Sequence, residues 1–266
     1  MVQQSTLKGR VALITGASAG IGQAIALDLA ARGAGLILNA RREARLDELC
    51  QRITDQHGLI DGQQRAVCVP GDASDESVVA QMLELSDQHF RRPPDIVIAN
   101  AGRGLSGSVM TSDTAQWEEM VRTNLLGVAH LIRQAGQTLV GLNENRDWST
   151  HPSDIVVLGS TVGRHISPFS SMYGATKFGV NSLAEAARRE LGPKGVRVTL
   201  IEPGIVKSEF QGVAGYDPES FGQLMDKYSP VLTPEDVART VGFIVTQPAG
   251  VHVCDVVIRP TRQDYP

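Results

Sequence analysis

Short apolar segments recur along the chain at regular intervals, and longer segments with a helical pattern lie between most of them. The apolar segments are residues 11–15, 36–40, 66–69, 96–99, 155–158, 196–201 and 256–258. The helical patterns cover residues 21–32, 42–57, 75–90, 116–140 and 172–191. Strands that alternate with helices in this way pair in parallel, through right-handed crossovers.

The apolar segments are almost continuously hydrophobic, which is typical of strands buried on both faces. The pattern therefore predicts an α/β class, a single-domain Rossmann fold whose doubly wound parallel sheet has about seven strands, with helices on both faces. No internal repeat or linker divides the chain, so residues 1–266 are expected to form one domain.

Two stretches interrupt this alternation of predicted strands and helices. Residues 142–154 are polar, and the sequence predicts a surface loop there. Residues 203–233 contain glycines and aromatic residues, with a short helix predicted near residues 219–227. A lid over a ligand has this character, and so does an excursion without a function.

The composition is that of an ordinary water-soluble fold, with 266 residues, 42% of them hydrophobic and 20% charged. The 25 basic and 29 acidic residues nearly balance, so we expect no cationic surface for nucleic acid or for a membrane. The first apolar run is too short for a secretory signal, and no segment reaches the ~18 apolar residues of a membrane span.

The three cysteines, Cys50, Cys68 and Cys254, are odd in number, far apart in sequence and outside any C-x-x-C spacing. This usage fits a reducing compartment and argues against a zinc site, so we expect a cytoplasmic protein without a bound metal. Two of the thiols lie within apolar runs and are predicted to be buried in the core.

The first predicted strand ends in T-G-A-S-A-G-I-G, residues 15–22, and a helical pattern follows at once. Glycines let the backbone turn sharply here, while the helix offers free amide hydrogens and the positive end of its dipole to an anion. A pyrophosphate group is the ligand that this arrangement favours. The spacing is G-x-x-x-G-x-G rather than the general G-x-G-x-x-G, so the context has to support it.

The same letters contain a competing pattern, because residues 16–20 also match the G-x-S-x-G nucleophile elbow of hydrolases, with Ser18 as the nucleophile. Such an elbow is expected later in the sheet, and it needs an acid and a histidine downstream. His252 is the one late candidate, and no neighbouring pattern supports it. The hydrolase hypothesis is the weaker of the two.

The second predicted strand runs into L-N-A-R-R-E-A-R-L, residues 38–46. NAD-selective sites usually place an acid here to bind the ribose 2′-hydroxyl, but the first acid in this segment is Glu43. Arg41 and Arg42 match a 2′-phosphate in charge and geometry, which favours NADP(H). Alternatively, either arginine could simply be solvated at the start of a helix.

Residues 171–179, S-M-Y-G-A-T-K-F-G, place Tyr173 and Lys177 on one face of a helix. A tyrosine can exchange a proton with an alcohol or carbonyl oxygen if its pKa falls from about 10, and an ammonium one turn away favours the phenolate. Ser160, thirteen residues before Tyr173, could hydrogen-bond the same oxygen.

Together these motifs resemble the short-chain dehydrogenase/reductase family from about residue 7 to the end of the chain. The matching marks are T-G-A-S-A-G-I-G, Asp72, N-A-G at 100–102, Asn124, Ser160, Tyr173 with Lys177, and P-G at 203–204. The tail, residues 232–238 and 257–263, is similar to that of NADP-dependent members that oxidise 3-hydroxy acids such as serine, or reduce related aldehydes and ketones.

The resemblance implies a hydride transfer between NADP(H) and a small alcohol or carbonyl substrate. It implies four catalytic residues: Asn124, Ser160, Tyr173 and Lys177. Of these, Asn124 would hold a water that links Lys177 to solvent, while Ser160 and Tyr173 would contact the substrate. It implies these further cofactor contacts: Gly16, Ser18, Gly20, Ile21, Gly22, Arg41, Arg42, Asp72, Ala73, Asn100, Ala101, Gly102, Pro203, Gly204, Val206 and Ser208, together with Tyr173 and Lys177.

Several of these residues have structural alternatives. Asn124 could brace its helix, Asp72 could cap the helix that begins near residue 74, and Gly102 could simply end a strand. On the substrate side we considered four residues, for each of which a core or loop role is the favoured interpretation: Arg164, His165, Phe169 and Phe210.

Two other functions stay open at this point. A 3-oxoacyl thioester reductase would share every catalytic residue named above. A non-catalytic NADPH-binding redox sensor often lacks the tyrosine or the lysine, and both are present here. Because members of the family are commonly homotetramers, we expect a homo-oligomer, either a tetramer or a dimer, whose other partner is a small-molecule substrate.

Overall fold

The computed structural model describes residues 6–265, whose strands form one seven-stranded parallel sheet in the order β3-β2-β1-β4-β5-β6-β7. The strands are β1 (Val11–Thr15), β2 (Gly35–Ala40), β3 (Ala66–Pro70), β4 (Ile96–Ala99), β5 (Ser153–Leu158), β6 (Val196–Pro203) and β7 (Asp255–Ile258). The predicted α/β Rossmann fold is confirmed. Residues 1–5 and 266, which the predicted domain also includes, lie outside the described residues.

Helices cover both faces of this sheet. They are α1 (Gly20–Ala31), α2 (Glu43–His57), α3 (Glu76–Phe90), α4 (Trp117–Val121), α5 (Gly127–Glu144), α6 (Ser171–Leu191), α7 (Phe210–Val213), α8 (Pro218–Tyr228) and α9 (Pro234–Val245). Successive residues of β1 point into two separate cores, because Leu13 packs with α3, α5 and α6, while Ile14 packs with α1, α2 and α9. None of the helices in this described part of the chain combines the length and apolar character needed to cross a bilayer.

The helical pattern of residues 116–140 forms a more complex element than the sequence predicts. A 3-10 turn, Thr114–Gln116, leads into α4, and a π-helical turn, Arg122–Leu126, then joins α4 to α5. The hydrophobic period does not distinguish a π turn from an α turn, so the interruption is invisible in the sequence. Single π turns are frequent at functional sites.

The prediction of a surface loop over residues 142–154 is only partly right. Helix α5 continues to Glu144, and β5 begins at Ser153, so the loop is confined to the residues between them. Asn143 and Ser153 are buried, and the Ser153 hydroxyl donates a 2.9 Å hydrogen bond to Asn143 Oδ1. Because these polar side chains hydrogen-bond each other inside the protein, the polar pattern of this segment does not imply that it is exposed.

The expectation of two buried thiols in apolar runs is wrong. Only Cys50, on α2, is buried; Cys68 is half-buried and its thiol donates to Asp47 Oδ1 at 3.3 Å. Cys254 is exposed because it precedes β7, the edge strand, whose residues alternate between exposed and half-buried. An edge strand has a neighbour on one side only, so an apolar run there does not imply burial.

A buried carboxylate ties together the amino-terminal ends of three strands. Asp154, on β5, accepts hydrogen bonds from Arg10 at 2.9 Å and from Arg197, on β6, at 2.7 and 2.9 Å. Replacing Asp154 with asparagine should lower the free energy of unfolding by about 3–5 kcal/mol, because the buried Arg197 guanidinium loses its counter-charge and Arg10 keeps only its 3.4 Å pair with Asp95. Urea unfolding measures this change.

The control for that experiment is Glu185→Gln, which breaks ion pairs with Arg188 and Arg189 on the exposed face of α6. Ion pairs in water contribute little, so this variant should unfold at nearly the same urea concentration as the wild type. Equal losses of stability in the two variants would contradict the importance that we assign to burial of Asp154.

Candidate functional site

The carboxyl ends of the strands open into a cavity of about 870 Å³. Ligands of open α/β sheets bind at this edge. Most of the predicted site residues line the cavity: Gly16, Ser18, Gly20, Ile21, Arg41, Arg42, Asp72, Ala73, Asn100, Ala101, Gly102, Ser160, Tyr173, Lys177, Pro203, Gly204, Val206 and Ser208. Two do not: Gly22 and Asn124 are buried behind its wall.

The glycine turn after β1 needs its glycines for two separate reasons. Gly16 and Gly20 have φ angles of 68° and 54°, which side-chain-bearing residues rarely adopt. Gly22 packs so closely that a Cβ would overlap the Gly16 carbonyl oxygen. The turn thereby leaves the amino terminus of the 12-residue helix α1 open towards the cavity, and that geometry fits a pyrophosphate.

Two arginines follow β2 at the rim of the cavity. Arg42 donates to Ser18 Oγ at 3.0 and 3.2 Å and to Glu209 Oε2 at 3.1 Å. Arg41 is more exposed and lies 3.5 Å from Glu119. Arg45, one turn further along α2, pairs with the same Glu209 carboxylate at 2.9 Å. Neither Arg45 nor Glu209 could be identified from the sequence, because only the fold brings residue 209 to the start of α2.

The position of Ser18 also bears on the hydrolase alternative. Its hydroxyl accepts hydrogen bonds from Arg42, and the His252 ring instead bonds the Val198 carbonyl at 2.9 Å. Within residues 6–265, Ser18 forms no hydrogen bond with a histidine. The arrangement therefore provides no general base for a serine nucleophile.

Asp72 and Asn100 have structural roles beside their places in the cavity wall. Asp72 accepts from the Ser74 amide at 2.9 Å and its hydroxyl at 2.7 Å, while Asp75, not Asp72, caps α3. Burial alone would raise the pKa of Asp72, but these hydrogen bonds outweigh it and lower the pKa. The Asn100 amide donates to the carbonyls of Thr15 and Gly16 and so braces the glycine turn.

Ser160, Tyr173 and Lys177 meet on the opposite side of the cavity from Arg42. Ser160 follows β5, and its side chain hydrogen-bonds the Tyr173 hydroxyl. Lys177 lies one turn after Tyr173 on α6, with Nζ 5.8 Å from the tyrosine ring centroid and 2.7 Å from the Leu158 carbonyl oxygen to which it donates. A phenol, a hydroxyl and an amine therefore converge where a substrate oxygen could bind.

The tyrosine differs from the expectation in one respect. Burial raises the pKa of the Tyr173 phenol above its usual value, although the hydrogen bond with Ser160 opposes the rise. The expected lowering by Lys177 does not appear, since the ammonium is turned towards Leu158 and its own pKa is lowered by burial to about 8. The phenol is thus held in its protonated, proton-donating form.

Asn124 sits in the π-helical turn between α4 and α5. Its side-chain oxygen accepts from the Arg103 amide at 2.8 Å, and its amide group donates to the Arg103 carbonyl at 2.8 Å and to Thr176 Oγ1 at 3.2 Å. Asn124 therefore braces the segment after β4 against α6, the helix that carries Tyr173. This is the bracing role that the sequence left open.

The four residues considered for the substrate side divide into two pairs. Arg164 pairs with Glu202 and Asp255, His165 Nε2 accepts a hydrogen bond from Arg259, and neither residue lines the cavity. Phe169 and Phe210 do line it, and the Phe210 ring lies 5.7 Å from that of Tyr173. The segment 203–233 contributes both α7 and α8 to the cavity wall.

These features define a class of protein. A doubly wound parallel sheet with a glycine turn after its first strand, and a serine, tyrosine and lysine across the same cavity, is the arrangement of a Rossmann-fold oxidoreductase. The sequence profile of the short chain dehydrogenase family matches residues 10–217. The chain belongs to that family, as the sequence motifs predicted.

Relatives match nearly the whole chain. An uncharacterized oxidoreductase of Staphylococcus epidermidis is 32% identical over 254 residues, which are 96% of this chain and 98% of the relative. The structure of an alcohol dehydrogenase from the archaeon Thermococcus sibiricus, complexed with 5-hydroxy-NADP, superposes with a TM-score of 0.80 at 27% identity and covers 97% of this chain and 99% of its own. The closed form of a serine dehydrogenase complexed with NADP+ has a TM-score of 0.82 at 29% identity and covers 96% of each chain.

Proposed function

We propose that this protein is an NADP-dependent oxidoreductase acting on CH–OH donors and the matching carbonyls. It transfers a hydride between the nicotinamide and a small 3-hydroxy acid, aldehyde or ketone. The observation that carries the proposal is the convergence of Tyr173, Ser160 and Lys177 across one cavity from the glycine turn. NADP in the structures of the alcohol and serine dehydrogenases supports it.

The chain's own residues would bind the cofactor along the whole cavity. The glycine turn and the start of α1 hold the pyrophosphate, Arg41 and Arg42 hold the 2′-phosphate, and Lys177 binds the nicotinamide ribose. When bound, the cofactor supplies or accepts the hydride. Residues 203–233 act as the lid that covers the substrate, since α7 and α8 form one wall of the cavity.

In the reductive direction, Tyr173 donates its proton to the oxygen on which negative charge develops. Ser160 donates a hydrogen bond to the same oxygen and orients it. The Lys177 ammonium then turns from the Leu158 carbonyl towards the phenolate that remains and stabilises it, and a water held near Asn124 returns a proton to the phenolate from solvent. Because burial keeps Tyr173 protonated, the site is prepared for reduction without a prior change of protonation.

The pH dependence follows from the two pKa shifts. The pKa of Lys177 is lowered by burial to about 8, so the ammonium is present below that pH and is lost above it. Tyr173, whose pKa is raised, stays protonated over the same range. The ratio kcat/KM for carbonyl reduction should therefore fall as the pH rises through about 8.

A pH–rate profile between about pH 6 and pH 10 measures this effect. Lys177→Arg is the matched variant, because a guanidinium group keeps its charge throughout that range. The kcat/KM of Lys177→Arg should not decline as the pH rises through this range, whatever its absolute value. If kcat/KM declines at the same pH and with the same slope in the wild type and in Lys177→Arg, the titrating group is not Lys177.

The simplest test of the proposed function follows NADPH absorbance in the presence of a panel of aldehydes and ketones, and NADP+ with 3-hydroxy acids. A 3-oxoacyl thioester reductase would require an acyl-carrier substrate and would be nearly inactive with free ketones. A redox sensor would bind NADPH and turn over no member of the panel.

We also propose a cytoplasmic homo-oligomer, a tetramer or a dimer, built from a single domain. Apolar side chains exposed on the outer helices support the assembly: Leu126, Phe178 and Phe243. Such residues are candidates for interfaces between copies. Sedimentation velocity distinguishes a monomer from either assembly.

A further inference from the structure

The part of the cavity beyond Tyr173 has an aromatic and aliphatic wall. Phe210 packs against the ring of Tyr173, and Tyr216 packs against Phe221 with ring centroids 5.3 Å apart. Val213 and Leu224 complete the face that α7 and α8 present to the cavity, and Phe169 lies at its rim. A substrate in this space exchanges water for hydrocarbon over most of its surface.

The positive charges of the cavity wall are already engaged elsewhere. In residues 6–265 the basic residues that line it are Arg41, Arg42, Arg103 and Lys177. Arg41 and Arg42 lie at the far end, beside the glycine turn. Arg103 forms an ion pair with Glu119, and Lys177 donates to Leu158 next to the catalytic phenol. None of them projects from α7 or α8.

The charge that the lid does supply is negative. Asp217 lines the cavity at the start of α8, where it accepts from the Ser220 amide at 2.9 Å and from the Ser220 hydroxyl. These hydrogen bonds lower the pKa of Asp217, so its carboxylate is ionised at neutral pH. An anionic substrate would meet a like charge at this position, and among residues 6–265 no basic side chain of α7 or α8 lines the cavity to offset it.

From these contacts we infer that the site accepts uncharged, largely apolar aldehydes and ketones, with the matching alcohols, and discriminates against substrates that carry a carboxylate. This inference rests on the proposed function and narrows it, since it sets 3-hydroxy acids aside. In the reduction, the carbonyl carbon receives a hydride from NADPH and the oxygen receives a proton through Tyr173, which leaves the alcohol and NADP+.

Two probes with the same reacting group test the inference. Methyl 4-acetylbenzoate and the 4-acetylbenzoate anion share an aryl methyl ketone, and they differ in charge at the far end of the ring. We expect kcat/KM with NADPH to be at least about tenfold higher for the ester, because an ionised carboxylate loses its hydration without gaining a cation. Equal values, or a preference for the anion, would overturn the inference.

A variant of Asp217 separates charge from shape. Asparagine is also a good amino-terminal cap, so Asp217→Asn removes the charge and keeps the start of α8. The variant should lower the ratio of kcat/KM for the ester to kcat/KM for the anion about threefold. Asp226→Asn is the matched control, since it removes the same charge from an exposed position of α8 outside the cavity wall, and the ratio should not change.

A binding measurement makes the test independent of turnover. Calorimetric titration of both probes into the NADPH complex of Tyr173→Phe gives their dissociation constants while turnover is slowed at least about a hundredfold. We again expect at least about tenfold tighter binding of the ester. Absence of binding for both probes, or tighter binding of the anion, would overturn the inference; binding of the ester with no turnover by the wild type would contradict the proposed function instead.

Discussion

Replacing Tyr173 with phenylalanine is expected to lower kcat for carbonyl reduction by about a hundredfold to ten-thousandfold. The substitution removes only the hydroxyl that hydrogen-bonds Ser160, and it keeps the ring that packs on Phe210. The developing alkoxide then loses its proton donor, and only the hydrogen bond from Ser160 remains to stabilise it. Stopped-flow or steady-state measurement of NADPH oxidation gives the change.

Two measurements show whether this loss is chemical. The dissociation constant of NADPH, from quenching of protein fluorescence, should change by less than about twofold, because burial and packing at residue 173 are retained. Thr176→Ser serves as the control on the same helix, since it keeps the hydroxyl that bonds Asn124. A Tyr173→Phe enzyme with wild-type activity would refute the proton-donor role.

The second large effect is expected at the arginine that follows β2. Arg42→Ala should raise the dissociation constant of NADPH about ten- to a hundredfold, because hydrogen bonds to a charged group contribute about 1.5–3 kcal/mol. The constant for NADH should change little, since NADH has no 2′-phosphate. Comparison of the two cofactors in one titration series therefore isolates the phosphate contact.

A substitution of Glu209 is expected to have the opposite effect on NADPH binding. Its carboxylate pairs with Arg42 at 3.1 Å and with Arg45 at 2.9 Å, so a bound 2′-phosphate would have to compete with it. Glu209→Gln should therefore strengthen NADPH binding and leave NADH binding unchanged. A wild-type preference for NADH, or an equal effect of Arg42→Ala on both cofactors, would defeat the assignment of NADP.

Much of this fold could be predicted because its determinants are local or periodic. Each predicted strand lies within the observed one, and the burial on both faces that the apolar runs indicated holds for the five inner strands of the sheet. The pairing of Tyr173 with Lys177 was also visible, since their spacing on one helix needs no tertiary information. Ser160 required the family pattern, because only the fold brings the end of β5 next to α6.

The remaining features depend on contacts between distant segments. Nothing in the sequence around Glu209 indicates that it reaches Arg42 and Arg45, and nothing near residue 154 indicates a buried ion pair. The pKa of Tyr173 depends on how deeply the helix is buried, which a spacing of four residues cannot report.

Helix α9 is a different case, because a local signal in the sequence marks the residue at which it begins. Thr233 and Asp236 form a capping box around Pro234 at the first helical position. The same residues also belong to the family-like tail at 232–238. A capping box with a proline at these spacings is by itself a local signal for a helix that starts at residue 234.

The proposed function requires this chain to move a hydride from NADPH to a carbonyl carbon. Incubation with an active aldehyde or ketone and NADPH deuterated at C4, in separate samples for each of the two faces of the nicotinamide, followed by mass spectrometry of the product, tests it most directly. We predict an alcohol with one deuterium on the carbinol carbon from one of the two labelled cofactors. Cofactor binding without deuterated alcohol from either, across the panel of carbonyls, would contradict the claim and favour the NADPH sensor.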